Sequence, residues 1–419
     1  MNRRIKIILM SIFIIYMVDY LKLGDNIMTQ LKQGIIIMMA FWFSFIKENN
    51  DMGNHIDSVL LLIIFLINLF GIITSLYGVN PITSLSTLIG YNIYFYLFYK
   101  ISGELSKSDR NIVDFNNILI IVSIIITVLA LVIKPSLTVN QFLSFDQFGR
   151  NRVYGLFAGP NYLGAIAYVS IIACIINLKF NNGFNKITYI FLSAYFTLLL
   201  IISKSRTAFY SLIVFLIIYG FYFIFSKIKN INLRLSISII LILVFIVTGY
   251  SISKVILQMP IDTLTTMTTG RVENWKTLYK VATLNKFNFF FGFGFRAVTS
   301  GIVPGVPINP DNGQINTDNG YLVTLCESGV IGLFLILGII AYLISKLLCK
   351  TSNEVNVIIL SLLVSFCIYV FFETFLMNFG HIVSLYCWII CFWGIQRNRK
   401  MSVCSIKSYD FRRIKEINL

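Results

Sequence analysis

Runs of about twenty apolar residues recur along most of this chain. They lie near 5–21, 34–46, 58–78, 82–101, 115–134, 161–178, 186–202, 206–226, 233–253, 320–345, 356–376 and 380–395. A run of ~20 such residues, coiled as a helix, spans the ~30 Å hydrocarbon core of a bilayer. A single segment with no water around it must satisfy its own backbone hydrogen bonds, so each run is expected to be helical. Hydrophobic residues make up 57% of the 419 and charged residues only 12%. A soluble fold could not hide that much Ile, Leu and Phe. The expected fold class is therefore an all-α polytopic membrane protein with about twelve transmembrane helices.

Twelve spans put both termini on one side. Most of the 34 Lys and Arg fall on that side, and the bias is strongest in the short loops. By the positive-inside rule both termini are cytoplasmic. The net charge of +16 then marks orientation, and no nucleic-acid partner is expected. The basic start (Arg3, Arg4, Lys6) leads into an apolar run with no small-residue cleavage site behind it, so it is expected to remain as the first span. Four regions follow: helices 1–9 over 1–256, a large extracytoplasmic loop over 257–319, helices 10–12 over 320–395, and a basic cytoplasmic tail over 396–419. The tail (Arg397, Arg399, Lys400, Arg412, Arg413, Lys415) anchors topology and can touch anionic lipid. None of the seven cysteines lies in the large loop, so no disulfide framework is expected there. Cys387 and Cys391 share a helix face, but with no His or acid beside them they read as small apolar packing and not as a metal site.

Four short stretches share the outer side. Arg150–Asn161 ends in Gly159-Pro160-Asn161, a turn whose Asn161 can cap the next helix. Arg152 would sit near that helix N-terminus, where an anion is favoured; the plainer alternative is an interfacial arginine snorkelling to water. Ser203-Lys204-Ser205-Arg206 packs two cations and two hydroxyls into a tight turn, a fit for phosphate. From Arg271 to about Leu284, Val272, Trp275, Leu278, Tyr279 and Ala282 recur at helical spacing. The expected element is a short amphipathic helix lying on the bundle, with Gly270 and Glu273 near its cap and Arg271 aimed at the mouth. Lys276, Lys280 and Lys286 are expected on its solvated or headgroup face.

The fourth stretch is Asp318-Asn319-Gly320-Tyr321, entering the tenth span, with Glu327 and Gly329 further along. Asp318 and Asn319 can simply cap that helix. Alternatively Asp318, kept ionised among arginines, is a general base that orients an attacking hydroxyl. Glu327 would lie inside the membrane, where carboxylates are costly and face the bundle interior. Glu373 and Asp19 draw the same suspicion at lower rank. Of the two histidines, His55 falls in a cytoplasmic loop, whereas His381 opens the last span and is an alternative base. An outward site has no nucleotide pool, so an enzyme there needs a pre-activated donor. The Phe-Gly-Phe-Gly-Phe run at 291–295 follows no strand and is a poor nucleotide loop.

Taken in order, Arg152…Gly155-Leu-Phe…Pro160-Asn161-Tyr-Leu-Gly164, Ser203-Lys-Ser-Arg206, Gly270-Arg271…Trp275, Gly292-Phe-Gly294 and Asp318-Asn-Gly-Tyr-Leu…Glu327-Ser-Gly329 resemble the O-antigen ligase/polymerase superfamily. The resemblance covers roughly residues 150–345. It implies a bacterial cytoplasmic-membrane glycosyltransferase, inverting and metal-independent, with no cofactor. Its donor would be a glycan on undecaprenyl pyrophosphate, and membrane lipid, a flippase and a chain-length regulator would be its partners. It also implies catalytic roles for Arg206, Arg271 and Asp318. Arg152, Asn161, Ser203, Lys204, Ser205, Arg296, Asn319, Tyr321 and Glu327 would bind substrate. Ligases of the family carry His-Asn where this chain has Asp318-Asn319, which favours a polymerase of O-antigen, capsule or exopolysaccharide repeats. A ligase acting on another acceptor is the enzymatic alternative. A lipid-oligosaccharide flippase or other transporter is the alternative from a different class, disfavoured by few charges within the spans and no evident internal repeat.

Overall fold

The computed structural model describes residues 1, 3–21, 34–38, 57–134, 153–181, 183–227, 270–301, 303, 305–306, 317–349, 353–374 and 376–417, with backbone only at 184, 225–227 and 401–417. The ninth expected span, most of the second, the first part of the large loop, His55 and Arg152 lie outside the described residues. The elements in order are α1 (Arg3–Val18), α2 (Ser58–Tyr77), α3 (Pro81–Leu105), α4 (Asp109–Ile133), α5 (Pro160–Phe180), α6 (Phe184–Ser203) and α7 (Arg206–Lys227). They continue as α8 (Arg271–Ala282), α9 (Lys286–Phe291), α10 (Gly320–Leu348), α11 (Glu354–Phe372) and α12 (Ile382–Ile417). Among the described residues the regular structure is helical, and seven helices are long and apolar enough to cross a membrane: α2, α4, α5, α6, α7, α10 and α11.

Local chemistry sets where the helices begin. Asp57, Asn80, Ser108 and Asn353 each accept a backbone N–H of the first turn of α2, α3, α4 and α11. Pro81 and Pro160 open α3 and α5, where the missing N–H of proline costs nothing. On α2, Leu62, Phe65, Leu69 and Ile73 are exposed while Leu60, Ile67 and Phe70 are buried. A broad exposed apolar stripe of this kind suits contact with lipid tails. By contrast α5 is largely buried, with Ala165, Ile166, Ala167 and Tyr168 wholly enclosed. It packs between α4 and α6 at the centre of the bundle.

In hydrocarbon there is little hydrophobic drive between helices, so polar pairs and close packing hold them together. Asn116 Nδ2 donates to Asn177 Oδ1 at 2.9 Å, and Asn177 Nδ2 donates to Asn117 Oδ1 at 2.9 Å. Tyr386 on α12 donates to Asn116 Oδ1 at 3.1 Å, tying α4, α5 and α12. The Cys387 and Cys391 sulfurs lie 3.9 Å apart in the core as free thiols.

Two elements differ from the sequence expectation. The last helix does not stop near 395; its backbone stays helical to Ile417, because no Gly or Pro interrupts residues 396–417. And α10 is broken inside: Gly329 takes φ 64°, away from helical values. The break frees carbonyls, and the 291–295 run uses them. Phe293 N donates to Cys326 O at 2.8 Å and Gly294 N to Glu327 O at 3.0 Å. A Cβ on Gly329 would run into the Phe290 carbonyl, so the approach requires glycine. The Phe-Gly repeat is thus a docking strap for a kinked helix.

Candidate functional site

Three helices begin at the same end of the bundle, and the first or second residue of each reaches one carboxylate. Asn161 is the second residue of α5, Thr207 the second of α7, and Arg271 the first of α8. Glu373, the residue just past α11, receives all three. Asn161 Nδ2 donates to its Oε1 at 2.9 Å and Thr207 Oγ1 at 3.4 Å, while Arg271 Nη2 lies 3.5 Å away. Helix starts leave N–H groups without partners and carry a partial positive charge, so their meeting favours an anion. Two of them, α5 and α8, begin at Gly159 and Gly270, with no capping side chain.

Arg271 is the hub. It donates to the Phe372 carbonyl at 2.9 Å and to Thr207 Oγ1 at 3.5 Å, and its Nε lies 3.8 Å from Asp318 Oδ2. One guanidinium therefore stands between two carboxylates. Its side chain is 19% exposed, against 33% for Asp318 and 11% for Glu373, so the group is reachable from one side. Trp275, one turn along α8, donates its indole N–H to the Asp318 carbonyl at 3.1 Å and packs edge-on against Phe371. That contact fixes α8 across the end of α11. As expected, α8 runs from Arg271 with Lys276 and Lys280 exposed.

Burial pushes the Glu373 carboxyl up to about 7, with Arg271 pulling it down and Asp318 pushing it further up. A carboxyl near half-ionisation at neutral pH, in a mouth lined by an arginine and helix starts, has the profile of a functional group. Glu373 ranked low in the sequence because an acid at a span end belongs to no motif. Its significance is tertiary, and the only local signal was a carboxylate near the outer end of an apolar run.

The other expected residues fall into two sets. Asn161 does not cap α5: Pro160 starts that helix a residue earlier, Gly159 takes the cap position, and the amide is released to cross to Glu373. Ser205 Oγ donates to Asn161 Oδ1 at 3.4 Å, which orients that amide. Ser203 is buried and spends its hydroxyl locally, donating to Leu200 O and accepting from Ser205 N. Lys204 makes the turn in the left-handed region, φ 49°, and Arg206 opens α7 one residue before Thr207. Asn319 caps α10 by accepting from Tyr321 N and Leu322 N. Tyr321 faces away, donating to the Cys367 carbonyl at 2.9 Å. His381 is buried, stacks near Tyr20 and Tyr162, and accepts Val383 N–H at Nδ1.

Glu327 and Arg296 belong to a second, adjoining region. The Glu327 carboxylate is buried and accepts both the N–H and the hydroxyl of Thr299 at 3.1 Å, so it anchors the 296–300 turn. Among the described residues no group of three His, Cys, Asp or Glu side chains converges as metal ligands.

Residues 189–337 match the Wzy_C family model, described as O-antigen ligase. That stretch contains Ser203–Arg206, Arg271, Arg296, Asp318 and Glu327, while Asn161 and Glu373 stand outside it. No curated protein matches the chain. The match is confined to 189–337 of the 419 residues, and over that stretch the chain is similar to the O-antigen ligase family.

Proposed function

We propose that the chain joins glycan repeat units at the outer face of the bacterial cytoplasmic membrane, using an undecaprenyl-pyrophosphate-linked donor, as a polymerase of O-antigen, capsule or exopolysaccharide. The observation that carries this reading is the meeting of α5, α7 and α8 around Arg271, in a chain whose 189–337 stretch matches the O-antigen ligase family. Such a mouth suits a leaving pyrophosphate, because helix starts and a guanidinium stabilise the charge that develops as the bond breaks.

In this mechanism an acceptor sugar hydroxyl attacks the anomeric carbon of the donor. The new C–O bond forms as the bond to pyrophosphate breaks, and the lipid pyrophosphate leaves with the electron pair. Asp318 takes the hydroxyl proton, and Arg271, with Arg206, holds the departing group. Glu373 has a separate role. When ionised it fills the anion position that pyrophosphate needs, so donor arrival favours its protonated form. A carboxyl that titrates near neutrality can make that exchange with little cost.

A ligase would use the same donor chemistry on a different acceptor, and the presence of Asp318 where the ligases carry His favours polymerisation. In cells, Arg271→Ala is expected to abolish long-chain surface glycan while leaving the protein at normal level in the membrane. Unchanged chain length in that variant would rule out the pyrophosphate role.

A further inference from the structure

Beside the Arg271 cluster lies a cavity of about 530 Å³, within the ~300–1,000 Å³ usual for small-ligand pockets. Gly320 and Thr374 line it, and these follow Asp318 by two residues and Glu373 by one, so the cavity adjoins the reacting mouth. Its other walls are Ile36 and Ile37, α3, the 296–300 turn, α10 at Val323, Thr324 and the buried Glu327, and the segment before α12.

Three features point to a ligand. The first is Arg296. It is exposed into the cavity and makes no ion pair among the described residues. It also holds φ 62°, a left-handed conformation costing a non-glycine residue roughly 1–2 kcal/mol. Thr299, held by two hydrogen bonds to the buried Glu327 carboxylate, and the 3.0 Å bond from Ser300 N to Arg296 O keep that turn in place. Strain maintained around a cation that faces a cavity is characteristic of a binding site. The second is Tyr91. Its ring is clamped edge-on by Phe295 and Phe379, and its hydroxyl has no partner among the described residues. The third is Gly90, in the middle of α3 and lining the same space. A Cβ there would meet nothing within 4 Å. No neighbour demands glycine at that position, and in a helix it costs ~1 kcal/mol against alanine, so the effect of the missing side chain is to keep the cavity open.

The locked Tyr91 ring with its open hydroxyl, and one unpaired guanidinium, suit a ring with apolar C–H faces, hydroxyls and a negative charge. A polyprenyl chain would leave the Arg296 guanidinium and the Tyr91 hydroxyl unsatisfied. We propose that this cavity is a saccharide subsite, and that it selects a sugar bearing an acidic group, which pairs with Arg296. The proposal rests on the glycan-transfer reading for its place in the reaction, though not for its binding chemistry. The position beside Asp318 fits the acceptor sugar whose hydroxyl is to be deprotonated.

The test is ligand-observed saturation-transfer NMR on the full chain in nanodiscs. The probes are methyl glucuronide, glucose 6-phosphate and methyl glucoside. The wild type is expected to bind the carboxylate or the phosphate sugar roughly tenfold more tightly than the neutral one, the low end for a charge-assisted hydrogen bond. The probe that wins identifies which acidic group is read. Arg296→Gln should erase the preference, as should Arg296→Asn, which tolerates the same backbone angle. Gly90→Trp should remove all three signals, with Thr87→Trp as a second filler of the same space. Equal binding of charged and neutral sugars by the wild type, or a preference that survives in both Arg296 variants, would overturn the proposal. Failure of the function reading looks different: Arg271→Ala would leave surface glycan unchanged, while the sugar preference and its dependence on Arg296 persisted.

Discussion

Replacing Glu373 by Gln should make the protein more stable at neutral pH and change nothing in acid. Glutamine keeps an oxygen for Asn161, Thr207 and Arg271 and copies the protonated acid. In the folded chain, burial moves this carboxyl from 4.5 to about 7. That difference of about 2.5 pH units, at roughly 1.36 kcal/mol each, amounts to about 3 kcal/mol. Between pH 4.5 and 7 the folded chain keeps a proton that the unfolded chain has released, so stability falls as pH rises through that window. The favourable contribution is complete below about 4.5 and gone above about 7. Thermal unfolding of wild type and Glu373→Gln in detergent, at about pH 4.5, 5.5, 6.5 and 7.5, isolates this contribution, because every other titrating group is common to both. The two curves should coincide at the acid end and separate steadily, with the variant ahead by up to about 3 kcal/mol at about pH 7.5. A variant less stable than wild type at the alkaline end, or a constant gap at all four values, would refute the argument that burial outweighs the Arg271 ion pair.

Asp318 raises the Glu373 carboxyl, so Asp318→Asn should lower the pH at which Glu373 titrates, read from its protonated carboxyl band by difference infrared spectroscopy. Asn161→Ala removes a 2.9 Å bond to Glu373 and should cost about 1–2 kcal/mol in the same thermal assay, while leaving membrane insertion intact. Gly329→Ala puts a Cβ against the Phe290 carbonyl at a φ of 64° and should sharply lower the folded yield by size-exclusion. Gly338→Ala, nine residues along the same helix in open space, should be tolerated and gain up to about 1 kcal/mol.

The broad architecture was legible because bilayer thickness writes itself into run length, as α2, α4 and α10 show. The short helix α8 was legible from Trp275 and Leu278 at helical spacing after Gly270. The break at Gly329 was not, since apolar residues continue on both sides of it and the cause is a strap nearly forty residues earlier in the chain, at Phe290 to Gly294. Of the site, the separate pieces could be read as anion-friendly, and Arg271 and Asp318 do meet. Asn161 was read as a local cap because capping is the commoner fate of an asparagine after Gly-Pro; its amide in fact crosses to a residue 212 positions away. Glu373 drew only a low-ranked suspicion, and the unfilled space at Gly90 none, for the same reason. Their meaning depends on neighbours that only tertiary packing supplies.

Glycan transfer from a lipid pyrophosphate at the Arg271 cluster can be read out by reconstitution. Purified protein in nanodiscs would be given an undecaprenyl-pyrophosphate-linked repeat unit taken from the native host, without nucleotide, and the products resolved on a gel. The expected result is a ladder of glycans longer than the starting unit, lost with Arg271→Ala and with Asp318→Asn. A ladder that persists in both variants, or movement of the intact lipid across the bilayer with no elongation, would contradict it.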